Sequence, residues 1–225
     1  MSVDIGVLAL RLEGPLQSWG CHSQYNRRDT GLIPTKSGIA GMCCAAMGHV
    51  RGSVAEQVFL ESFNILAMTA FAIPRERHTQ EIPVRRLTDY HTVQNTRTAD
   101  GKNKDCHITQ RVYLLDASFG VLLEGDNAFL KPLTQALADP VWGIWLGRKT
   151  CIPSAPVLVG LFNTQDKAVQ ALVGKRTLSS FTRQQDVSDF ADGRDSLPDK
   201  ALSFESSARR FAPRRVWLIQ RTENV

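Results

Sequence analysis

The chain has 225 residues, 43% hydrophobic and 22% charged, enough to build a core without disulfide or metal and too apolar for wholesale disorder. Its charge is +5, 27 basic against 22 acidic residues, and the excess is gathered in patches. Eight Lys/Arg face five Asp/Glu between Arg75 and Arg111, and five Arg face one Glu between Glu205 and Arg221. Such patches suit a polyanion such as nucleic acid; a solubilising surface is the plainer reading. The longest apolar run, Ile65 to Ile73, is far short of the ~20 residues a membrane span needs, so no membrane partner is expected. Five cysteines, an odd number, and an N-terminus without a secretory pattern favour free thiols in a reducing cytoplasm.

Val3 to Leu12 alternates and reads as a first strand, ended by Glu13-Gly14-Pro15. A polar loop, Gln17 to Ile33, carries Arg27 and Arg28. A helix starts near Pro34-Thr35-Lys36-Ser37; Ile39, Met42, Cys43, Ala46 and Met47 form its apolar stripe, Thr35 or Ser37 can cap it, and Gly48 can end it. A second helix starts at Ser53, which with Glu56 makes a capping-box pair; Val54, Val58 and Phe59 are expected to face inward. Ile65 to Ile73 reads as a buried strand. From Pro74 to Gln110 apolar periodicity stops, and so long an irregular stretch is expected to be a protruding hairpin arm.

Strand character returns at Val112 to Glu124. Asp126 starts a helix carrying Phe129, Leu133, Ala136 and Leu137, with Pro132 expected in its first turn. A strand at Val157 to Phe162 and a helix near Asp166 to Val173 follow. Ser179 to Ser207 is polar and reads as partly unstructured, and Arg214 to Arg221 alternates as a last strand. The order is βαββαβ, an α+β, ferredoxin-like (RRM-type) arrangement shared with RNA-recognition modules. It divides the chain into a unit over 1–162, with the arm at about 74–111 inserted, and a small β extension over 163–225.

Several residues could carry chemistry. Gly38 and Gly41 fall in one helical turn, where each costs ~1 kcal/mol relative to alanine. A phosphate seat at the helix N-terminus with Lys36 and close backbone packing are both open readings. In the arm, Arg85-Arg86-Leu87-Thr88-Asp89-Tyr90-His91-Thr92 offers cations for phosphates and rings for unpaired bases. Cleavage of RNA through a 2′-hydroxyl is a second reading, with His91, Tyr90 and Lys102 or Lys104 as base, acid and cation. A contact to protein alone is a third. Arg111, at the arm's base, suits a bidentate phosphate contact, or a salt bridge to Asp116 or Asp89. Gly147-Arg148-Lys149-Thr150-Cys151 could form another anion loop, with Cys151 buried and inert. Cys21-His22 and Cys106-His107 lack the ligand spacing of a zinc site, so neither metal nor cofactor is expected.

In order along the chain, Gly14-Pro15-Leu16-Gln17-Ser18-Trp19-Gly20, Pro34-Thr35-Lys36-Ser37-Gly38, Asp89-Tyr90-His91-Thr92-Val93, Asp116-Ala117-Ser118-Phe119, Leu146-Gly147-Arg148-Lys149-Thr150-Cys151 and, weakly, Arg210-Phe211-Ala212 resemble the fifth Cas family, the CasD-type subunits of type I-E CRISPR Cascade. The resemblance implies a ferredoxin-like core with a hairpin thumb. It implies a non-catalytic subunit that holds the 5′ repeat-derived handle of the CRISPR RNA, between the backbone subunits and the large subunit that reads the PAM, with target DNA met only indirectly. Relatives in type I-C cut the repeat themselves, which keeps the endoribonuclease alternative open. The motifs carry over Arg111, Gln17, Trp19, Thr35, Lys36, Ser37, Tyr90, His91, Arg148 and Lys149 as handle or packing residues. Arg28 and Arg86 join them as basic candidates for RNA contact.

Overall fold

The computed structural model describes residues 4–20, 23, 26–78, 80–98 and 100–221; the Cys21-His22 pair lies outside them. The elements in chain order are β1 (Ile5–Glu13), β2 (Leu16–Gln17), β3 (Arg27–Arg28), α1 (Lys36–Met47), α2 (Val54–Phe63), β4 (Ala67–Ala72), β5 (Arg75–Arg77), β6 (Gln80–Ile82), β7 (Arg85–Arg97), β8 (Asn103–Leu115), β9 (Ser118–Asp126), α3 (Asn127–Ala138), β10 (Leu158–Phe162), α4 (Gln165–Val173), β11 (Arg183–Asp186), β12 (Asp195–Ser203) and β13 (Arg210–Ile219). The protein is α+β, with one seven-stranded antiparallel sheet in the order β10-β1-β9-β4-β11-β13-β12. β1 and β4 run in the same direction with β9 antiparallel between them.

Both faces of β1 are buried because both faces of the sheet are covered. Leu8, Leu10 and Leu12 join the core under α1, α2 and α3. Val7 and Ala9 point the other way and meet Ala168, Val169 and Leu172 of α4 with Phe71 and Phe181. Local signals set α1: the Thr35 hydroxyl accepts from the Gly38 N–H, and Gly48 closes the helix with φ 73°. Gly38 is a packing residue. A Cβ there would meet the Trp19 indole at 3.0 Å and the Thr35 hydroxyl at 2.9 Å.

Several expectations are corrected. In α2, Val54 and Val58 face solvent, while Glu56, Phe59, Leu60 and Phe63 form the buried stripe. Ser53 caps the Glu56 N–H, but the Glu56 carboxylate accepts from Gly52 and Phe204 rather than closing a capping box. Ile65 is exposed and its strand begins at Ala67. The stretch Val112 to Glu124 is two strands, broken at Asp116, whose φ is 50°. Pro132 sits in the second turn of α3, which begins at Asn127.

The polar stretch 179–207 is mostly structured. β11 and β12 continue the main sheet beyond β4, with β13 between them. Pro198 and Pro213 lie inside the break in register between Leu197 and Lys200, where a missing N–H costs no ladder bond. The bulge turns Asp199 inward, where it is 1% exposed. Its carboxylate accepts from Arg214 Nε at 2.9 Å and Nη2 at 2.7 Å, and from the Lys36 backbone N–H at 2.8 Å. Asp186 accepts from Lys36 Nζ at 2.8 Å and from the Met68 N–H at 3.0 Å, and also pairs with Arg214. Two cations and two carboxylates thus tie α1 and β4 to the three C-terminal strands.

The arm is a hairpin. β7 and β8 pair antiparallel from Arg85↔Leu115 to Arg97↔Asn103, and β5 and β6 form a second, small hairpin at its base. β8 also pairs with β2 and, in parallel, with β3.

Candidate nucleic-acid interface

Side chains alternate between the two faces of a ribbon, and residues paired across strands share a face. The β7–β8 register therefore sorts the candidates. Asp89, His91, Thr109 and Arg111 lie on one face, joined there by Arg28, the parallel partner of Arg111. Arg86, Tyr90, Gln110 and Arg27 lie on the other. Hydrogen bonds agree: Arg111 Nε donates to Thr109 Oγ1 at 3.2 Å, and Gln110 Nε2 donates to Tyr90 Oη at 2.7 Å. Asp89 stands 3.8 Å from His91. Among the described residues Arg111 makes no ion pair with either Asp89 or Asp116; Asp116 pairs with Arg75 and Arg85 instead.

The residues of the cleavage alternative do not converge. Tyr90 and His91 are neighbours on opposite faces. Lys102 is at the hairpin tip with Asp100 and Lys104 lies opposite Thr96, and the run from His91 to Thr96 alone spans about 17 Å at the rise of a strand.

Arg148 joins the ribbon to the body. Its guanidinium donates to Val112 O at 2.9 Å, Arg28 O at 2.8 Å and Asp29 O at 3.2 Å, and lies 4.7 Å over the Tyr113 ring. Backbone carbonyls take three of its five N–H donors, so Arg148 serves first as a clamp between the ribbon and the body. The turn before it depends on Gly147, with φ 95°, where a Cβ would sit 1.8 Å from Ser18 O. Lys149 is exposed.

Four carried-over residues are interior. Gln17, fully buried, donates to Leu12 O and Ala117 O and accepts from Trp19 Nε1. Trp19 is core and Thr35 is the helix cap. Lys36 is 3% exposed and spends its ammonium on Asp186 and the carbonyls of Leu66 and Asn64. Burial lowers its pKa against the attraction of Asp186. Burial also works against the Arg214 charge, but the Asp199 and Asp186 carboxylates outweigh it and raise that pKa. These residues shape the site; they do not reach a polyanion.

A cleft of about 630 Å³ opens beside α1. Ser37, Gly38 and Gly41 line it from the helix, Trp142, Trp145 and Lys149 from the loop after α3, Phe204 and Arg209 from the β12–β13 connection, and Phe211 from β13. The sequence reading does not single out Trp142, Trp145 or Arg51, and meets Phe211 only in the weak Arg210-Phe211-Ala212 motif. Their signal was chemical type, aromatic and cationic, without a local spacing to gather them. Cys151 is buried, as are Cys43 and Cys44. No helix among the described residues is long and apolar enough to cross a membrane.

The family model for CRISPR-associated protein (Cas_Cas5) matches residues 7–217. The chain is 33% identical over 165 residues to the CRISPR system Cascade subunit CasD of Escherichia coli (strain K12), covering 71% of this chain and 72% of the relative. A chain of a CRISPR RNA-guided surveillance complex superimposes with TM-score 0.74 at 29% identity, covering 95% of this chain and 89% of that one. A chain from a crystal structure of a Cas protein gives TM-score 0.64 at 28% identity, over 94% and 92%.

Proposed function

The chain belongs to the Cas5 family of CRISPR-associated proteins, and we propose that it is the non-catalytic subunit of a type I-E Cascade complex that holds the 5′ repeat-derived handle of the CRISPR RNA. The observation that carries this reading is the pairing of Arg28 with Arg111 on adjacent strands. Like charges directly opposite one another destabilise a sheet. A phosphate between the two guanidiniums turns that repulsion into bidentate attraction. Tyr90, 68% exposed, and Arg86 on the opposite face are then available to a splayed base and its phosphate.

In this reading β10-β1-β9-β4 with α1, α2 and α3 is a ferredoxin-like core over 1–162, and 163–225 is the extension that completes the sheet. The hairpin is the thumb, directed at a backbone subunit. The large PAM-reading subunit adjoins the same end, target DNA is met through these partners, and the complex works in the cytoplasm. Separation of Tyr90, His91 and Lys102 favours binding over cleavage.

The test is affinity for a synthetic repeat-handle RNA as a function of salt. For single strands the log–log slope is about −0.7 per phosphate neutralised. Arg28→Ala and Arg111→Ala should each weaken binding and flatten the slope by roughly that amount. A slope unchanged in both variants would remove this pair from the interface. Cleavage of full-length repeat RNA by the wild-type chain in EDTA would reinstate the nuclease reading.

A further inference from the structure

The face that carries Arg28 and Arg111 also holds a residue of the opposite charge. The β7–β8 register sets Asp89 directly across from Arg111, and β3 sets Arg28 on the other side of Arg111. Across the three strands at that level the charges run plus, plus, minus, with about 4.8 Å between neighbouring strands. A carboxylate facing an arginine across a strand pair ordinarily pairs with it. Arg111 instead turns its Nε to Thr109 Oγ1 at 3.2 Å, and among the described residues the Asp89 carboxylate accepts no hydrogen bond. Its one charged neighbour in reach is His91 on the same face, with Nδ1 3.8 Å from Asp89 Oδ2, beyond hydrogen-bond length. The Asp89 side chain is 41% exposed, so its lone pairs are open to a ligand on that face. Asp116, the acid at the root of the hairpin, differs: Arg75 and Arg85 already take it.

A free carboxylate repels phosphate, so it weakens a surface that binds phosphates alone. It suits a surface that also reads the sugar between them. A ribose 2′-hydroxyl is an O–H donor, deoxyribose has none, and that group is what separates RNA from DNA at a given site. A carboxylate accepts from it in a charge-assisted hydrogen bond. We propose that Asp89 accepts a hydrogen bond from one ribose 2′-hydroxyl of the bound RNA, beside the phosphate held by Arg28 and Arg111, and so makes this face selective for RNA over DNA. Thr109, the hydroxyl between them, is 6% exposed and is engaged with Arg111 and with His91 O, which leaves Asp89 as the open anionic acceptor. The proposal rests on the RNA-binding reading above and adds selectivity at the sugar to affinity at the phosphate.

The probe is the repeat-handle RNA carrying a single 2′-deoxynucleotide, scanned along its length. Binding to the full chain is measured at about pH 8.5, above the range in which histidine changes charge, which keeps His91 out of the balance. With wild-type protein, one position should lose roughly 10- to 150-fold in affinity, the range of one hydrogen bond to a charged group. Asp89→Ala removes a side chain that makes no hydrogen bond to the fold. It should abolish the penalty at that position and bind the deoxy-substituted RNA at least as tightly as the wild type does, because the repulsion leaves with the acceptor. Asp89→Asn keeps an acceptor without the charge and should retain a smaller penalty; His91→Ala should retain all of it. A flat deoxy profile with tight, salt-dependent binding overturns the proposal and leaves the phosphate row standing. If Asp89→Ala binds intact and deoxy-substituted RNA tighter by one common factor, with the penalty kept, the acid is a bystander and the proposal is overturned. Failure of the wild type to bind RNA at any salt overturns the RNA-binding reading itself, and the proposal with it.

Discussion

Replacing Asp199 by alanine should cost more than any surface change in this protein, and the structure says why. The carboxylate is buried and takes two hydrogen bonds from Arg214 and one from the first N–H of α1. With Asp186 and Lys36 it completes a neutral set, two positive and two negative charges. Removing Asp199 leaves the set at +1, at a cost of about 3–5 kcal/mol for the broken buried pair. The orphaned Lys36 N–H adds about 1–3 kcal/mol. Total stability for a domain is about 5–15 kcal/mol, so the variant should be near its unfolding threshold. Arg214→Met alone should cost a similar ~3–5 kcal/mol by leaving Asp199 uncompensated. The double variant, Arg214→Met with Asp199→Ala, restores neutrality and keeps Lys36 with Asp186. Only the orphaned N–H remains, so it should lose about 1–3 kcal/mol, less than Asp199→Ala and no more than Arg214→Met. Urea unfolding followed by circular dichroism gives all three values at constant m. Losses that simply add, with no coupling near 3 kcal/mol, would refute the reasoning.

Three further outcomes follow from local geometry. Arg148→Ala should weaken RNA binding by releasing residues 28–29 from β8, yet keep the wild-type salt slope, because the side chain neutralises backbone carbonyls and no phosphate; a flattened slope would make it a ligand. Gly147→Ala should destabilise by more than ~1–3 kcal/mol, since it joins a strained φ to an overlap with Ser18 O, whereas Gly41→Ala should stabilise by up to ~1 kcal/mol; chemical denaturation compares them. Burial raises the Cys43 thiol pKa, and burial with the nearby Glu56 charge raises that of Cys44 to about 12, well above the ordinary thiol range. Above pH 9 the unfolded chain therefore holds fewer protons than the folded one, and stability falls by up to about 1.4 kcal/mol per pH unit per thiol. Replacing both cysteines by alanine should flatten the alkaline limb between pH 9 and 12, and a limb equally steep in the variant would contradict this.

Elements set by neighbours in sequence were legible: β1 from its alternation, α1 from Thr35 and Gly48, α3 from Asp126. Errors arose where distant residues decide. Lys36 looked like a free cation at a helix start, because its acids lie 150 and 163 positions away on β11 and β12. In α2 the buried stripe begins with a charged residue, Glu56, so Val54 and Val58 outscored it on hydrophobicity alone. The polarity of 179–207 reads as partly unstructured chain, whereas Asp186 and Asp199 are polar because they serve a buried charge cluster. At the candidate site, the motif stretches were found but residue roles were not. Gln17, Trp19, Thr35 and Lys36 are spent on the interior. Arg28 and Arg111 become partners only through a parallel pairing of segments more than 80 residues apart.

β8 explains why the base of the hairpin is a better place for function than its tip. The strand passes through three environments. Tyr113 and Leu114 are core, Arg111 is half-buried beside β3, and 103–106 are exposed. Towards the tip the ribbon has two strands and no covered face, a form that is marginal by itself in water. Side chains there have no covered face to pack on, so fixing them in a contact carries an ordering cost on binding. At the base, Arg111 is flanked by a strand on each side and Arg148 donates to the Arg28 carbonyl, so the two groups proposed to hold phosphate are placed by the fold itself. The tip must gain its order from whatever covers it, which fits a thumb that seats on a neighbouring subunit while the base holds the RNA.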